Sequence, residues 1–103
     1  MIINALQWDE DEPPTEAAIR RRLQAEGLQP YRWSNGPGDV YGAHTHRYHK
    51  VIYVVSGSIT FGLPSSKQRV ALHPGDRLEL PPGVLHDALV GPEGVVCLEA
   101  HRG

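Results

Sequence analysis

Three of the six histidines stand where imidazole chemistry could be concentrated. His44 and His46 are two residues apart, so in an extended segment both rings leave the same face, with β-carbons roughly 7 Å apart. From that separation two rings can converge on one ion. Alone the pair says little, because histidines at this spacing also occur by chance on exposed strands. His86 adds to it. It follows Pro81, Pro82 and Gly83, residues that restrict the backbone, and the sequence predicts a rigid hairpin there that fixes the direction in which His86 leaves.

The remaining candidates carry less. Residue 50 shares parity with 44 and 46, which would turn Lys50 toward the same interior and His49 the other way, unless a bulge at residues 47–48 reverses the facing and makes His49 a ligand. His73 precedes a Pro-Gly turn and His101 lies near the end, so both read as surface groups. Tyr41, Tyr48 and Tyr53 read as packing or dimer contacts. The single cysteine, Cys97, lies between Val96 and Leu98 and reads as a buried, inert thiol; it can form neither an internal disulfide nor a thiolate zinc knuckle.

These side chains need a scaffold, and 103 residues suffice for one domain and one core. With 40% apolar and 21% charged residues the composition is that of a folding globular chain, while Gly 11 and Pro 9 without any period point to many short elements joined by turns. Four consecutive acids, Asp9 to Glu12, suggest a solvated arm that leads through Pro13 and Pro14 into a short helix over 15–26, capped at Gly27. Arg20, Arg21 and Arg22 on that helix read as solvated or salt-bridged. From Leu28 the period changes to two, with Tyr31 and Trp33 on one face. Strands are predicted at 39–46, 50–56, 58–63, 68–72, 77–80, 88–90 and 95–100. The run 51–55 is apolar on both faces and calls for cover from the helix or from a second subunit. The boundaries drawn are an arm and helix over 1–27 and a β-barrel over 28–103, forming one structural domain.

Within this frame the chain resembles the cupin superfamily. The first cupin motif, G-x5-H-x-H-x3-E-x6-G, is matched by Gly38, His44, His46 and Gly57, and the second, G-x5-P-x-G-x2-H-x3-N, by Gly75, Pro81, Gly83 and His86. The resemblance covers about 38–90. It departs at two positions, where Lys50 takes the place of the glutamate and Val90 that of the closing asparagine. The implied fold is all-β: a cupin jelly-roll (double-stranded β-helix) barrel, here with a short N-terminal helix. The implied metal ligands are His44, His46 and His86 around one divalent transition metal: iron, nickel, copper, cobalt, zinc or manganese.

A charged Lys50 cannot ligate that ion. It could pair with an acid such as Asp87 or Glu99, lose its proton, or hold an anionic substrate group beside a three-histidine metal, the role in which it would be catalytic. Some cupins do use three neutral histidines without the glutamate. A metal-free barrel is the plainer alternative, but three buried imidazoles would then need polar partners of their own.

With 12 acidic and 10 basic residues the chain has no footprint for a polyanion, and no stretch is long enough to span a bilayer, so the expectations are no nucleic acid and no membrane. A cytoplasmic homodimer acting on a small molecule is expected, with dioxygenase-like oxidation of a small anionic substrate as the leading chemistry. The alternatives are a non-catalytic binding or sensory barrel and a metal-free isomerase using His86 or His46 as base.

Overall fold

The computed structural model describes residues 2–103. One helix, α1 (Glu16–Ala25), precedes six strands: β1 (Tyr31–Asn35), β2 (Val40–His44), β3 (His49–Leu63), β4 (Gln68–Leu72), β5 (Arg77–Leu80) and β6 (His86–Arg102). All pairings are antiparallel. The first part of β3 lies between β5 and the last part of β6, which also pairs with β1. Beyond a bend, the second part of β3 lies between β4 and the first part of β6, which also pairs with β2. The result is a jelly-roll of two facing sheet halves that share β3 and β6, and no pairing among the described residues closes it into a ring.

The bend explains why β3 and β6 are single long strands where the sequence suggests two pairs of short ones. Register shifts fall between Val54 and Ser56 and between Gly57 and Ile59, so pairing continues through bulges instead of stopping. At Gly57 the chains nearly touch. Its φ is +75°, and a β-carbon there would lie 2.0 Å from the Gly94 carbonyl oxygen, so only glycine permits the crossing.

The alternating pattern divides the core. Ile52, Val54, Leu78, Leu80 and Cys97 face inward against Ile59, Phe61, Leu72, Ala88 and Val90 of the opposite half. On the other face of the same strands, Val51, Tyr53, Leu98 and Ala100 pack against Ile19, Leu23 and Leu28. The helix therefore supplies the cover that the apolar run 51–55 demands. It begins at Thr15, whose hydroxyl accepts from the Ala18 amide at 3.1 Å, and ends where the Leu28 amide reaches back to the Leu23 carbonyl at 3.1 Å past Gly27.

Two expectations are corrected. The turn at 81–83 does not close a hairpin, because β5 pairs with β3 whereas the start of β6 pairs with β2 and the far part of β3. It carries the chain from one sheet half to the other. Nor is the arm merely solvated. Ile3 enters the core, Leu6 pairs with Arg77, and Asp9, Glu10 and Glu12 reach Arg22 and Arg21 at 2.6–3.2 Å.

Candidate metal centre

His44 ends β2 and stands directly across from His86 at the start of β6. His46 lies two residues past β2, in the loop to β3, and its carbonyl accepts from the Gly83 amide at 2.8 Å. The loop carrying one imidazole is thus tied to the turn that delivers another. The three rings converge. Their centroids are 4.4–5.1 Å apart, and one nitrogen from each lies within 4.8 Å of the others. This group contains three imidazoles and no carboxylate.

The backbone sets the tautomers. His44 Nδ1 lies 2.6 Å from the Gly42 carbonyl and His86 Nδ1 lies 2.9 Å from the Val84 carbonyl. A carbonyl only accepts, so each Nδ1 bears the proton and each Nε2 is left with a lone pair. The Nε2 atoms of His46 and His86 are buried with no hydrogen-bond partner. Burial lowers the pKa of both, and the nearby Lys50 charge lowers it further, while the bond to the Val84 carbonyl opposes the shift at His86. Three imidazoles that can each turn a ring nitrogen to one point are the donor set a borderline transition metal requires, and this set fits one.

Beside the histidines is a buried charge cluster. Glu99, only 4% exposed, accepts from the Tyr31 hydroxyl and from Trp33 Nε1 at 3.1 Å, lies 2.7 Å from His101 Nε2, and stands 3.6 Å from Lys50 Nζ. Burial resists its ionisation, but the bonds from Tyr31 and His101, the Lys50 ammonium and the Trp33 bond outweigh that and hold its pKa down. Lys50 is 9% exposed, and of its candidate acids it is Glu99 that it meets. The histidines, Lys50 and Glu99 line one open cavity of about 450 Å³, completed by Trp33, Tyr41, Ile59, Phe61 and Ala88.

His49 faces the opposite side of β3 and binds Glu79 at 2.7 Å, outside the cluster. His101 is exposed, yet its ring stacks on Tyr48 at 3.7 Å, and Tyr48 stacks in turn on His46 at 4.7 Å. Tyr53 packs beneath the helix. Cys97 is buried in the core, where desolvation pushes its thiol up to about 12.

Sequence reasoning did not reach Tyr31, Trp33 and the role of Glu99. The only signal was the shared parity of Tyr31 and Trp33, and the register that sets Tyr31 across from Glu99 is a pairing of residues 68 apart.

A two-halved jelly-roll with converging histidines from both motif stretches defines a class, and the sequence comparison agrees with it. Residues 31–100 match the family model of the cupin domain, and the chain belongs to the cupin family. Among solved structures it is similar to a chain from the DMSP lyases RdDddP and RnDddQII, at 29% identity and a TM-score of 0.67 over 74% of this chain and 38% of that one. An RmlC-like cupin from Shewanella frigidimarina NCIMB 400 is 27% identical with a TM-score of 0.62, over 72% of this chain and 64% of that one. The polyketide cyclase RemF from Streptomyces resistomycificus shares the fold at 24% identity and a TM-score of 0.62, over 72% and 54%. This chain therefore spans well under half of the lyase chain. No curated protein matches it in sequence. No helix is long and apolar enough to cross a membrane among the described residues.

Proposed function

We propose that this protein is a small metal-dependent cupin enzyme in which His44, His46 and His86 hold one divalent transition metal and Lys50 receives an anionic group of a small substrate. The observation that carries the reading is the pair of buried, unpartnered Nε2 atoms of His46 and His86, next to a third imidazole whose own Nδ1 is already spent on a carbonyl. Leaving such atoms bare costs about 1–3 kcal/mol each, a cost that a metal bond removes. A bound transition metal supplies Lewis acidity and open coordination positions.

The chain's own residues do the rest. Lys50 stands in the cavity wall with its nearest acid beyond hydrogen-bonding distance at 3.6 Å, so its donors are available to a carboxylate or enolate. Trp33, Tyr41 and Phe61 offer apolar cover to the body of the ligand and exclude water from it. Oxidation of the dioxygenase type is the leading reaction. A second reading, elimination of the lyase type, is favoured by the 29% identity to the DMSP lyase chain.

Elemental analysis of tag-free protein, purified without a nickel column or chelators, tests the metal reading. About one transition-metal ion per chain is expected, and loss of it on replacing His44, His46 or His86 by Ala. Protein that is metal-free and takes up no added iron, nickel, cobalt or zinc would overturn the reading and leave a binding barrel or a metal-free isomerase. Oxygen uptake with small carboxylic acids and thiols then separates oxidation from elimination.

A further inference from the structure

A lysine beside three imidazoles is an obstacle to a divalent ion, because its ammonium repels the very charge the imidazoles attract. The molecule holds an answer to this in the same wall. Glu99 is nearly buried, is not a member of the histidine group, and is fixed from two sides: Tyr31 and Trp33 of β1 occupy both carboxylate oxygens, and the Oε1 that accepts from Trp33 is the one turned to Lys50. His101, on the same strand as Glu99, adds a fourth partner at 2.7 Å. Such a cluster is costly to assemble in a half-enclosed cavity and does not contribute a ligand.

We propose that Glu99 is the charge-balancing residue of this centre: its carboxylate cancels the Lys50 ammonium, so that the three imidazoles can hold a divalent ion against a neutral wall. The inference rests on the metal reading above and deepens it, since it says why a lysine can occupy the position without emptying the site. Glu99 acts through Lys50 and is not one of the three ligands. The carboxylate also limits which anions Lys50 will accept. A ligand must offer the ammonium a better acceptor than one at 3.6 Å, and must do so while bound at the metal, which favours a group that reaches both.

The test is the affinity for cobalt(II), read by competition with a chromophoric chelator, in four proteins: wild type, Glu99→Gln, Lys50→Met and the double variant. Glu99→Gln is expected to weaken binding about 10- to 100-fold, the range seen when outer partners of a metal site are lost. Lys50→Met is expected to tighten it. The double variant, whose wall is neutral again, is expected to return to near the wild-type value.

Rescue is the decisive readout, because a merely structural role for Glu99 would leave the double variant at least as weak as Glu99→Gln. Equal affinities for wild type and Glu99→Gln, an unaltered Lys50→Met, or an unrescued double variant would each overturn the proposal. Should Glu99→Gln fail to fold alone, the double variant set against Lys50→Met decides: weaker cobalt binding in the double variant, where the uncancelled carboxylate is removed, supports the proposal, and equal affinities overturn it. A wild-type protein that takes up no cobalt at all overturns the metal reading itself and this inference with it, an outcome distinct from the other three.

Discussion

The strand that carries both Lys50 and Tyr53, β3, has charge buried against its two opposite faces, and the two faces handle it differently. On the helix side, Arg77 donates to Glu26 at 2.6 and 2.9 Å, to Glu79 at 3.0 Å and to the Tyr53 hydroxyl at 3.0 Å, while Arg102 adds a bond to Glu26 at 2.8 Å. Here the buried guanidinium is answered on all sides. On the interior side, His46 and His86 each bury a nitrogen with no partner, and Lys50 stops 3.6 Å short of its acid. One face is finished by the protein alone. The other leaves two buried nitrogens without a protein partner, which is what separates a scaffold from a candidate site.

That contrast can be broken from either side. The largest effect is expected at His86, where replacement by Leu should abolish metal uptake while raising the stability of metal-free protein by about 1 kcal/mol, since an unsatisfied buried nitrogen is removed. Urea unfolding after chelation, set beside elemental analysis, checks both halves; a destabilised variant would mean that His86 serves the fold. Arg77→Met should do the reverse. It is expected to cost about 1–2 kcal/mol by removing the bonds to Glu26, Glu79 and the Tyr53 hydroxyl, while Glu26 keeps Arg102 and Glu79 keeps His49, and to leave metal content at the wild-type level.

A smaller effect concerns pH. The bond from Arg77 holds the Glu26 pKa below its ordinary range against the opposing pull of burial. A carboxyl depressed in the folded state adds stability that is present above its unfolded pKa and is lost as pH falls through the folded value. Wild type should therefore lose more stability than Glu26→Gln between pH 6 and pH 3 in urea titrations, by an amount that solvent screening keeps small, and parallel curves would sink the assignment. The smallest effect belongs to the cap: Thr15→Ala should lower stability by just under 1 kcal/mol, seen as a shift in thermal midpoint, with metal binding untouched.

Much of this architecture was legible in residue order. The helix expected over 15–26 forms at Glu16–Ala25, and the strands at Gln68–Leu72 and Arg77–Leu80 stand where alternation places them. The convergence of His44, His46 and His86 was legible because motif spacing encodes the β2–β6 register. What was lost were features that depend on through-space pairing. Gly57 and the stretch around Gly94 look like strand ends, and only the close passage of the two backbones shows that they are bends within continuous strands. Glu99 looks like an ordinary acid in a terminal strand until β1 lies beside it and brings Tyr31 and Trp33 to its oxygens.

The crossing at Gly57 and Gly94 has a further meaning for the cavity. Before the bend β3 contributes Lys50 and after it Phe61, while β6 contributes His86 before and Glu99 after. Both long strands thus enter the cavity twice, and its gauge is the angle at which two continuous ribbons fold over. Loops around the mouth can lengthen without altering that gauge, and interior side chains can be exchanged without altering it. An inserted residue at the bend, by contrast, would turn one half of each strand inside out relative to the other. The chemistry of such a barrel is therefore free to vary by substitution, but its calibre is inherited whole.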